Sequence, residues 1–249
     1  MIPWLTPDDP PSAFPPVETA LVDPDGLLCA GGDLSPDRLI EAYRRGIFPW
    51  FSAGQPILWW SPDPRTVLYP DELHVSRSLA RTLRRGRLAT TVNQAFGAVM
   101  DGCADPQRRP EGTWITPQMR AAYLRLHELG YAHSVETWDG SRLAGGIYGV
   151  ALGRAFFGES MFSAVPDASK VAILRLSHAL LERNYHFIDC QVANAHLASL
   201  GARSLPRREF MRRLAAATEG PLAPDPGWRD ASFALQQAFM QNSRGLRGR

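Results

Sequence analysis

The sequence predicts an α+β fold whose main sheet is mostly antiparallel, preceded by a small N-terminal α/β domain. Apolar residues change from helical spacing to alternation after Gly130, which predicts a meander of strands. A long helix over 168–183 and a buried strand over 187–189 follow this meander. The Ser61-Pro62-Asp63-Pro64 run breaks both periodicities. We therefore expect a small domain over 1–63, a larger domain over 64–235 and a frayed tail over 236–249.

The helices are predicted from their capping residues. A serine followed by proline at the first helical position predicts a helix over 36–45, and Thr116-Pro117 predicts another that ends at Gly130. Asn93 is expected to cap a third helix, which ends at about Asp101. The remaining predicted elements are helices over 76–85, 194–200 and 207–217, and strands over 88–92, 133–138, 143–150 and 154–157.

The composition excludes several classes of protein. With 249 residues and 45% hydrophobic content, the chain can bury a sizeable core. No run of about 18 apolar residues predicts a membrane span, and the acidic, proline-rich start does not have the order of a secretory signal. The cysteines, Cys29, Cys103 and Cys190, are few and scattered, which favours a reducing compartment over a disulfide framework. We expect a cytoplasmic monomer without a bound metal.

The basic residues are almost all arginine, with Lys170 as the single lysine. Codon bias explains such a composition, but arginine is also the better residue for bidentate phosphate contacts. Four arginines at helical spacing share one broad face, which is either a solvated surface or a phosphate-binding surface. These residues are Arg77, Arg81, Arg84 and Arg85.

Six short segments carry the most specific signal in the chain. No single one is diagnostic, but the ordered set resembles the leucyl/phenylalanyl-tRNA–protein transferases from about Phe14 to Leu214. The segments are Gly31-Gly32-Asp33-Leu34-Ser35, Gly46-Ile47-Phe48-Pro49-Trp50-Phe51, Trp59-Trp60-Ser61-Pro62, Thr113-Trp114-Ile115, Gly158-Glu159-Ser160-Met161-Phe162 and Asp189-Cys190-Gln191.

This resemblance implies a small N-terminal domain and a catalytic domain like that of the GNAT acetyltransferases. It implies transfer of Leu, Phe or less readily Met from aminoacyl-tRNA to proteins that begin with Arg or Lys, which marks them for N-end-rule degradation. No cofactor is expected. The segment 163–169, where a GNAT enzyme would hold acyl-CoA, contains no glycine but a proline and an acid.

The resemblance assigns catalysis to Asp189 and Gln191, which lie two apart at the end of a predicted strand, so their side chains are expected to project from the same face. Gln191 would hold the attacking amine or accept its proton, with Asp189 orienting it. The alternative is a helix-capping Asp and a buried Gln. Glu159 is either a surface acid or the carboxylate that holds a substrate ammonium group. His196, close behind this strand, either orients the site or packs its helix.

Trp50 and Trp114 match the family tryptophans that hold the terminal adenosine of tRNA. An apolar pocket for the donor side chain is expected from residues that could equally belong to the core: Phe157, Met161, Phe162, Leu176 and Ile188. The arginine face would then contact the acceptor stem. The competing functions are a small-molecule acyltransferase that uses acyl-CoA and a non-enzymatic module that binds tRNA or basic N-termini.

Overall fold

The computed structural model describes residues 2–108, 112–220 and 222–230. The N-terminal part contains a four-stranded sheet with the order β1-β2-β4-β3, in which only the β1–β2 pair is parallel. Its strands are β1 (Trp4–Leu5), β2 (Leu27–Gly31), β3 (Phe48–Pro49) and β4 (Leu58–Trp60).

Helix α1 (Pro36–Arg44) connects β2 to β3. The Ser35 hydroxyl accepts a hydrogen bond from the Arg38 N–H at 3.4 Å, which confirms the predicted cap. Arg38 itself is buried, and its guanidinium donates to Asp33 and to the carbonyl of Asp9, so it ties the N-terminal segment to the helix. Gly46 follows with a positive φ of 69°, a conformation that glycine adopts without strain.

The main sheet has seven strands in the order β11-β5-β10-β9-β8-β7-β6. Among the strands described, β9 and β10 form its one parallel pair, which confirms the mostly antiparallel sheet. The strands are β5 (Arg65–Leu68), β6 (Leu88–Val92), β7 (Ala132–Asp139), β8 (Arg142–Leu152), β9 (Ala155–Ser163), β10 (Phe187–Gln191) and β11 (Arg203–Leu205).

Helices cover both faces of this sheet. Neighbouring strand residues such as Phe156 and Phe157 belong to different hydrophobic clusters, because successive side chains point to opposite faces. One cluster contains the helix residues Phe96 and Met119, and the other contains Ile173. The helices are α2 (Arg77–Arg85), α3 (Phe96–Ala104), α4 (Pro117–Glu128), α5 (Ala168–Glu182), α6 (Ala195–Ser199), α7 (Arg207–Ala217) and α8 (Gly227–Asp230).

The predicted cap of α3 is wrong. The helix begins at Phe96, and Asn93 lies earlier with a φ of 60° and accepts from the Ser134 N–H at 3.0 Å. The N-cap is Ala95, which makes no side-chain capping hydrogen bond; the buried Glu136 of β7 holds the turn before the helix, where its carboxylate accepts from the N–H groups of Gln94 and Ala95 at 3.4 and 3.3 Å. A partner that comes from a neighbouring strand cannot be recognised from local sequence.

The first hydrophobic cluster crosses the predicted boundary at Asp63. It joins Leu28 and Trp59 of the N-terminal part to Phe96 and Tyr148 of the main domain. The boundary remains a prediction, and the tail over 236–249 lies outside the described residues. In the part of the chain that the structure describes, no helix is long and apolar enough to cross a membrane.

Candidate active site

A cavity of about 480 Å³ opens where the parallel strands β9 and β10 separate. Their pairing joins 155–157 to 187–189, and the residues that follow on each strand line the cavity instead. Glu159 comes from β9, and Cys190 and Gln191 come from β10. The apolar part of the wall is formed by Trp114, Ile147, Met161, Ile173, Ile188 and Leu197.

Asp189 is fully buried beside this cavity in an ion pair with Arg65 of β5. Arg65 Nε donates to Oδ1 at 2.8 Å, and Nη2 donates to Oδ2 at 2.7 Å. The remaining Nη1 donates to the carbonyl of Gly46 at 3.0 Å, and the guanidinium lies 4.8 and 4.7 Å from the ring centres of Phe48 and Phe210. Both oxygens of Asp189 are therefore occupied by a bidentate arginine.

Gln191 ends β10 with a left-handed φ of 57°. Its N–H donates to Asp189 Oδ1 at 3.0 Å, at the point where the pairing of β10 with β5 shifts register. A residue with a Cβ keeps this conformation only where its surroundings enforce it. The side-chain Nε2 is buried and has no hydrogen-bond partner among the described residues, so it is available to a molecule in the cavity.

Glu159 is held by two tyrosines from different helices. The Tyr43 hydroxyl of α1 donates to Oε1 at 2.7 Å, and the Tyr123 hydroxyl of α4 donates to Oε2 at 2.8 Å. The two hydroxyls also contact each other. Burial raises the pKa of Glu159 to about 7 against the two phenol hydrogen bonds, which lower it; the charge of Asp189 raises it and that of Arg65 lowers it. Near neutral pH both protonation states are therefore populated.

Two further polar residues of the cavity were not assigned with certainty from the sequence. His196 Nε2 is buried there without a hydrogen-bond partner among the described residues, and burial together with the charge of Lys170 lowers its pKa. His196 is therefore neutral near pH 7. Burial raises the pKa of the Cys190 thiol, so this cysteine is not a nucleophile.

The two predicted adenosine-binding tryptophans differ in position. Trp114 lines the cavity, whereas Trp50 is 47% exposed and is not one of the lining residues. Trp50 packs against Trp60 with ring centres 5.6 Å apart, and its carbonyl accepts from the Trp60 indole at 2.7 Å. Nearly half of the Trp50 side chain is thus accessible from solvent.

The predicted apolar pocket is only partly assembled from the expected residues. Met161 and Ile188 line the cavity. Phe157, Phe162 and Leu176 are buried in the two hydrophobic clusters and do not contribute to its wall. The wall residues that the sequence analysis missed, Ile147, Ile173 and Leu197, come from β8, α5 and α6.

The four arginines of α2 are all exposed, and none of them forms an ion pair with a residue that the structure describes. The helix is fixed to the main domain by its other side, where the Thr82 hydroxyl donates to Asp167 at 2.8 Å. The structure therefore presents Arg77, Arg81, Arg84 and Arg85 as an unneutralised basic surface, which we call the α2 arginine face.

Comparison with known proteins identifies the family. Residues 32–63 match a family model described as the leucyl/phenylalanyl-tRNA protein transferase N-terminal domain, and residues 67–215 match the leucyl/phenylalanyl-tRNA protein transferase model. The leucyl/phenylalanyl-tRNA–protein transferase of Stutzerimonas stutzeri is 56% identical over 92% of this chain and 100% of that protein. The protein of the same name from Aromatoleum aromaticum is 60% identical over 89% of this chain and 92% of its own length.

Similarity to solved structures is much weaker. The C-terminal domain of a putative lysylphosphatidylglycerol synthetase from Agrobacterium fabrum is 13% identical, with a TM-score of 0.42 over 76% of this chain and 72% of that one. This likeness is too distant to support a conclusion. The family models and the close relatives, in contrast, cover both parts of the chain, and they show that it belongs to the leucyl/phenylalanyl-tRNA–protein transferase family and is an aminoacyltransferase.

Proposed function

We propose that this enzyme transfers leucine or phenylalanine, and less readily methionine, from aminoacyl-tRNA to the α-amino group of proteins that begin with Arg or Lys. Its products would be substrates for N-end-rule degradation. The observation that carries the proposal is the cavity, in which an apolar wall meets the carboxyl group of Glu159 and the Gln191 Nε2, which has no hydrogen-bond partner among the described residues. The apolar wall suits the donor side chain, and the polar groups of Gln191 and Glu159 suit the amine of the acceptor.

The reaction requires an amine to attack an ester carbonyl and form an amide. A terminal amine has a pKa of about 8, so the site needs to position it, remove one proton and stabilise the oxyanion. We assign positioning of the amine to Gln191. Asp189 acts as a positioning residue, because its oxygens hold Arg65 and the Gln191 N–H. Glu159 supplies the negative charge that attracts the ammonium group.

The donor side chain would lie against Met161 and the apolar residues around it. A pocket that uses only apolar contacts discriminates by about 1–3 kcal/mol per methylene group, which fits a tolerance for Leu, Phe and Met. Methionine adapts to ligands of different shape because its side chain is flexible. Trp114 in the cavity and the exposed Trp50 would stack on the terminal adenosine, at about 1–3 kcal/mol per stacked base.

The main domain would be GNAT-like, since the β7–β9 meander, the long α5 and the parallel β10 have the order expected of that architecture. Asp167 argues against acyl-CoA as the donor. It immediately precedes α5, where backbone N–H groups would otherwise hold a pyrophosphate, and its carboxylate accepts from Thr82 and from Lys170. The negative charge of the Asp167 carboxylate would repel the pyrophosphate of the cofactor at this position.

The decisive experiment measures transfer of labelled Phe from Phe-tRNA to a peptide that begins with Arg. We expect transfer to this peptide and little to the same peptide with an acetylated N-terminus or with an N-terminal Gly. A melting temperature that rises with acyl-CoA, without transfer from Phe-tRNA, would favour the small-molecule acyltransferase. Tight binding of charged tRNA without product would favour a binding module.

The α2 arginine face would contact phosphates of the tRNA acceptor stem. Changing Arg77, Arg81 and Arg84 to Glu should then reduce transfer from full tRNA far more than transfer from aminoacyl-adenosine, which lacks the stem. Only the full-tRNA reaction should weaken steeply with salt, since phosphate contacts release counterions. Changing the exposed Arg125, Arg142 and Arg208 to Glu gives a charge-matched control elsewhere on the surface. Equal losses with both donors would contradict this assignment.

A further inference from the structure

The carboxyl group of Glu159 and the hydroxyls of Tyr43 and Tyr123 form a closed ring of three contacts. Each hydroxyl contacts one carboxyl oxygen, at 2.7 and 2.8 Å, and the two hydroxyls contact each other. The tyrosines come from α1 and α4, while Glu159 comes from β9. Both tyrosines are completely buried, and Glu159 faces the cavity.

The number of protons in this ring depends on the state of Glu159. Each of the three oxygen–oxygen contacts needs one proton to be a hydrogen bond. With Glu159 ionised, the two phenols supply two protons; both can point to the carboxylate, which leaves none between the hydroxyls. With Glu159 protonated, three protons serve three contacts, and the carboxyl group donates to one phenol while it accepts from the other.

We propose that Glu159 is the group that accepts the proton of the acceptor protein's α-ammonium, and that Tyr43 and Tyr123 are positioning residues which complete a hydrogen-bonded ring around that proton. The inference rests on the proposed transfer reaction and extends it. Gaining the third proton satisfies every contact of the ring. Burial raises the pKa of the carboxyl group whereas the phenol hydrogen bonds lower it, so the tyrosines hold the base in place and burial strengthens it.

The other polar groups of the site are less suited to this role. The oxygens of Asp189 already accept three hydrogen bonds from Arg65 and the Gln191 N–H. The Gln191 amide is too weak a base to hold a proton. Burial and Lys170 disfavour the protonated form of His196. Glu159 therefore remains as the ionisable group of the cavity that exchanges a proton near neutral pH.

The pKa values of Glu159 and of the α-ammonium group support Glu159 as the proton acceptor. Besides the two phenols, the charged groups that influence Glu159 are Asp189 and Arg65, which form a pair with no net charge. A Glu with a pKa of about 7 lies about one unit below an α-ammonium near 8, whereas an ordinary Glu lies almost four units below it. The transferred state is therefore roughly 500-fold more populated than with an ordinary Glu.

The step is balanced in protons and bonds. One N–H bond of the α-ammonium breaks, its proton moves to Glu159, and the neutral amine forms a C–N bond to the ester carbonyl carbon. The tetrahedral intermediate then breaks its bond to the ribose oxygen. A second proton from the same nitrogen goes to that oxygen, and Glu159 releases the first proton to water, which restores the carboxylate.

The test uses the full chain and three variants, Tyr43→Phe, Tyr123→Phe and Glu159→Gln, with Tyr185→Phe as a matched control. The Tyr185 hydroxyl accepts from the Trp228 indole just before β10, at the strand end opposite to the cavity. Two quantities are measured against pH: kcat/KM for transfer of Phe to an Arg-initiated peptide, and the infrared band of the protonated carboxyl group, which Glu159→Gln identifies by removing it. The second readout does not depend on activity.

In the wild type, the acidic limb of kcat/KM and the infrared band should titrate together near pH 7. Either Tyr→Phe variant should move both titrations to higher pH by about one unit, because the ionised carboxylate loses a phenol hydrogen bond that lowers its pKa. Glu159→Gln should abolish the limb and lower kcat by about 10²–10⁴-fold. Tyr185→Phe should change neither quantity.

Two results would contradict the roles proposed for Tyr43 and Tyr123. The first is a titration that moves to lower pH in the Tyr→Phe variants, as expected if the phenols stabilised the protonated carboxyl group more than the carboxylate. The second is a limb that stays unchanged in Tyr43→Phe and Tyr123→Phe while the wild type transfers Phe normally. Failure of the wild type to transfer at any pH, with the infrared band still titrating, would instead reject the proposed function and with it the catalytic role of the ring.

Discussion

Removing the carboxylate of Asp189 should destabilise the whole protein as well as the site. In Asp189→Ala, the Nε–H and Nη2–H groups of Arg65 lose their acceptors in an environment without solvent access. Leaving one partner of a buried ion pair uncompensated costs about 3–5 kcal/mol. That is a large fraction of the ~5–15 kcal/mol by which a folded protein is stable. For a chain of this size it corresponds to a fall in melting temperature of roughly 6–20 °C.

Thermal and urea unfolding of Asp189→Ala would be compared with Asp101→Ala. Asp101 pairs with Arg120 at 2.7 Å, but both side chains are exposed, so this control should cost at most about 1 kcal/mol. A double variant, Arg65→Met with Asp189→Leu, replaces the pair by apolar groups and should recover most of the lost stability. It should not recover transfer, because the Gln191 N–H no longer has the acceptor that fixes it.

Each outcome separates stability from catalysis. If Asp189→Ala and Asp101→Ala lose similar amounts of stability, the buried pair does not hold the site together as we argue. If the double variant transfers Phe at the wild-type rate, Asp189 does not position Gln191 for the reaction. Asp189→Asn keeps an oxygen for the Gln191 N–H, and we expect it to fold better than Asp189→Ala and to retain more activity.

Two further predictions concern the cavity. Trp114→Ala and Trp50→Ala should each raise KM for the aminoacyl-tRNA by about 5–150-fold, since a stacked base contributes about 1–3 kcal/mol. The melting temperature of Trp50→Ala should change little. Unchanged KM values would reject the assignment of these tryptophans to the adenosine. The pKa of Glu159 is about 7 in the folded state, against 4.5 for the ordinary side chain. The contribution of its protonated form to the free energy of unfolding is therefore complete below pH 4.5 and is lost as the pH rises through 7. Glu159→Gln should therefore gain about 3 kcal/mol relative to the wild type between pH 4 and pH 8 in urea unfolding, and a constant difference across this range would contradict the raised pKa.

Local sequence signals predicted most of the scaffold. Ser35, Ser76 and Thr116 cap their helices through side-chain hydrogen bonds, and the alternating pattern after Gly130 forms a hairpin of strands. These signals depend on residues that are neighbours in the chain, so they can be recognised without a structure. The prediction failed at Asn93, where a carboxylate more than 40 residues away holds the turn before α3 and the helix begins later, at Phe96.

The candidate site was predictable in its motifs but not in its supporting residues. Asp189, Gln191 and Glu159 were assigned through the family resemblance, whereas Arg65, Tyr43 and Tyr123 carried no pattern that marks them. Arg65 lies on a four-residue strand, and the tyrosines occupy core positions of amphipathic helices. Only the tertiary fold shows that these residues meet the site, because they are separated from their partners by 124, 116 and 36 positions.

The small N-terminal part belongs to the site through α1 and the turn that follows it. Tyr43 of this helix donates to Glu159, and Gly46 supplies the carbonyl that accepts from Arg65 Nη1. One short segment thus contacts Glu159 directly and Asp189 through Arg65, although the two acidic residues lie on different strands of the main sheet. A shift of α1 would alter the hydrogen bond between Tyr43 and Glu159 and the orientation of Arg65, which holds Asp189. The position of α1 therefore couples Glu159, which takes the proton, to Asp189, which holds Gln191.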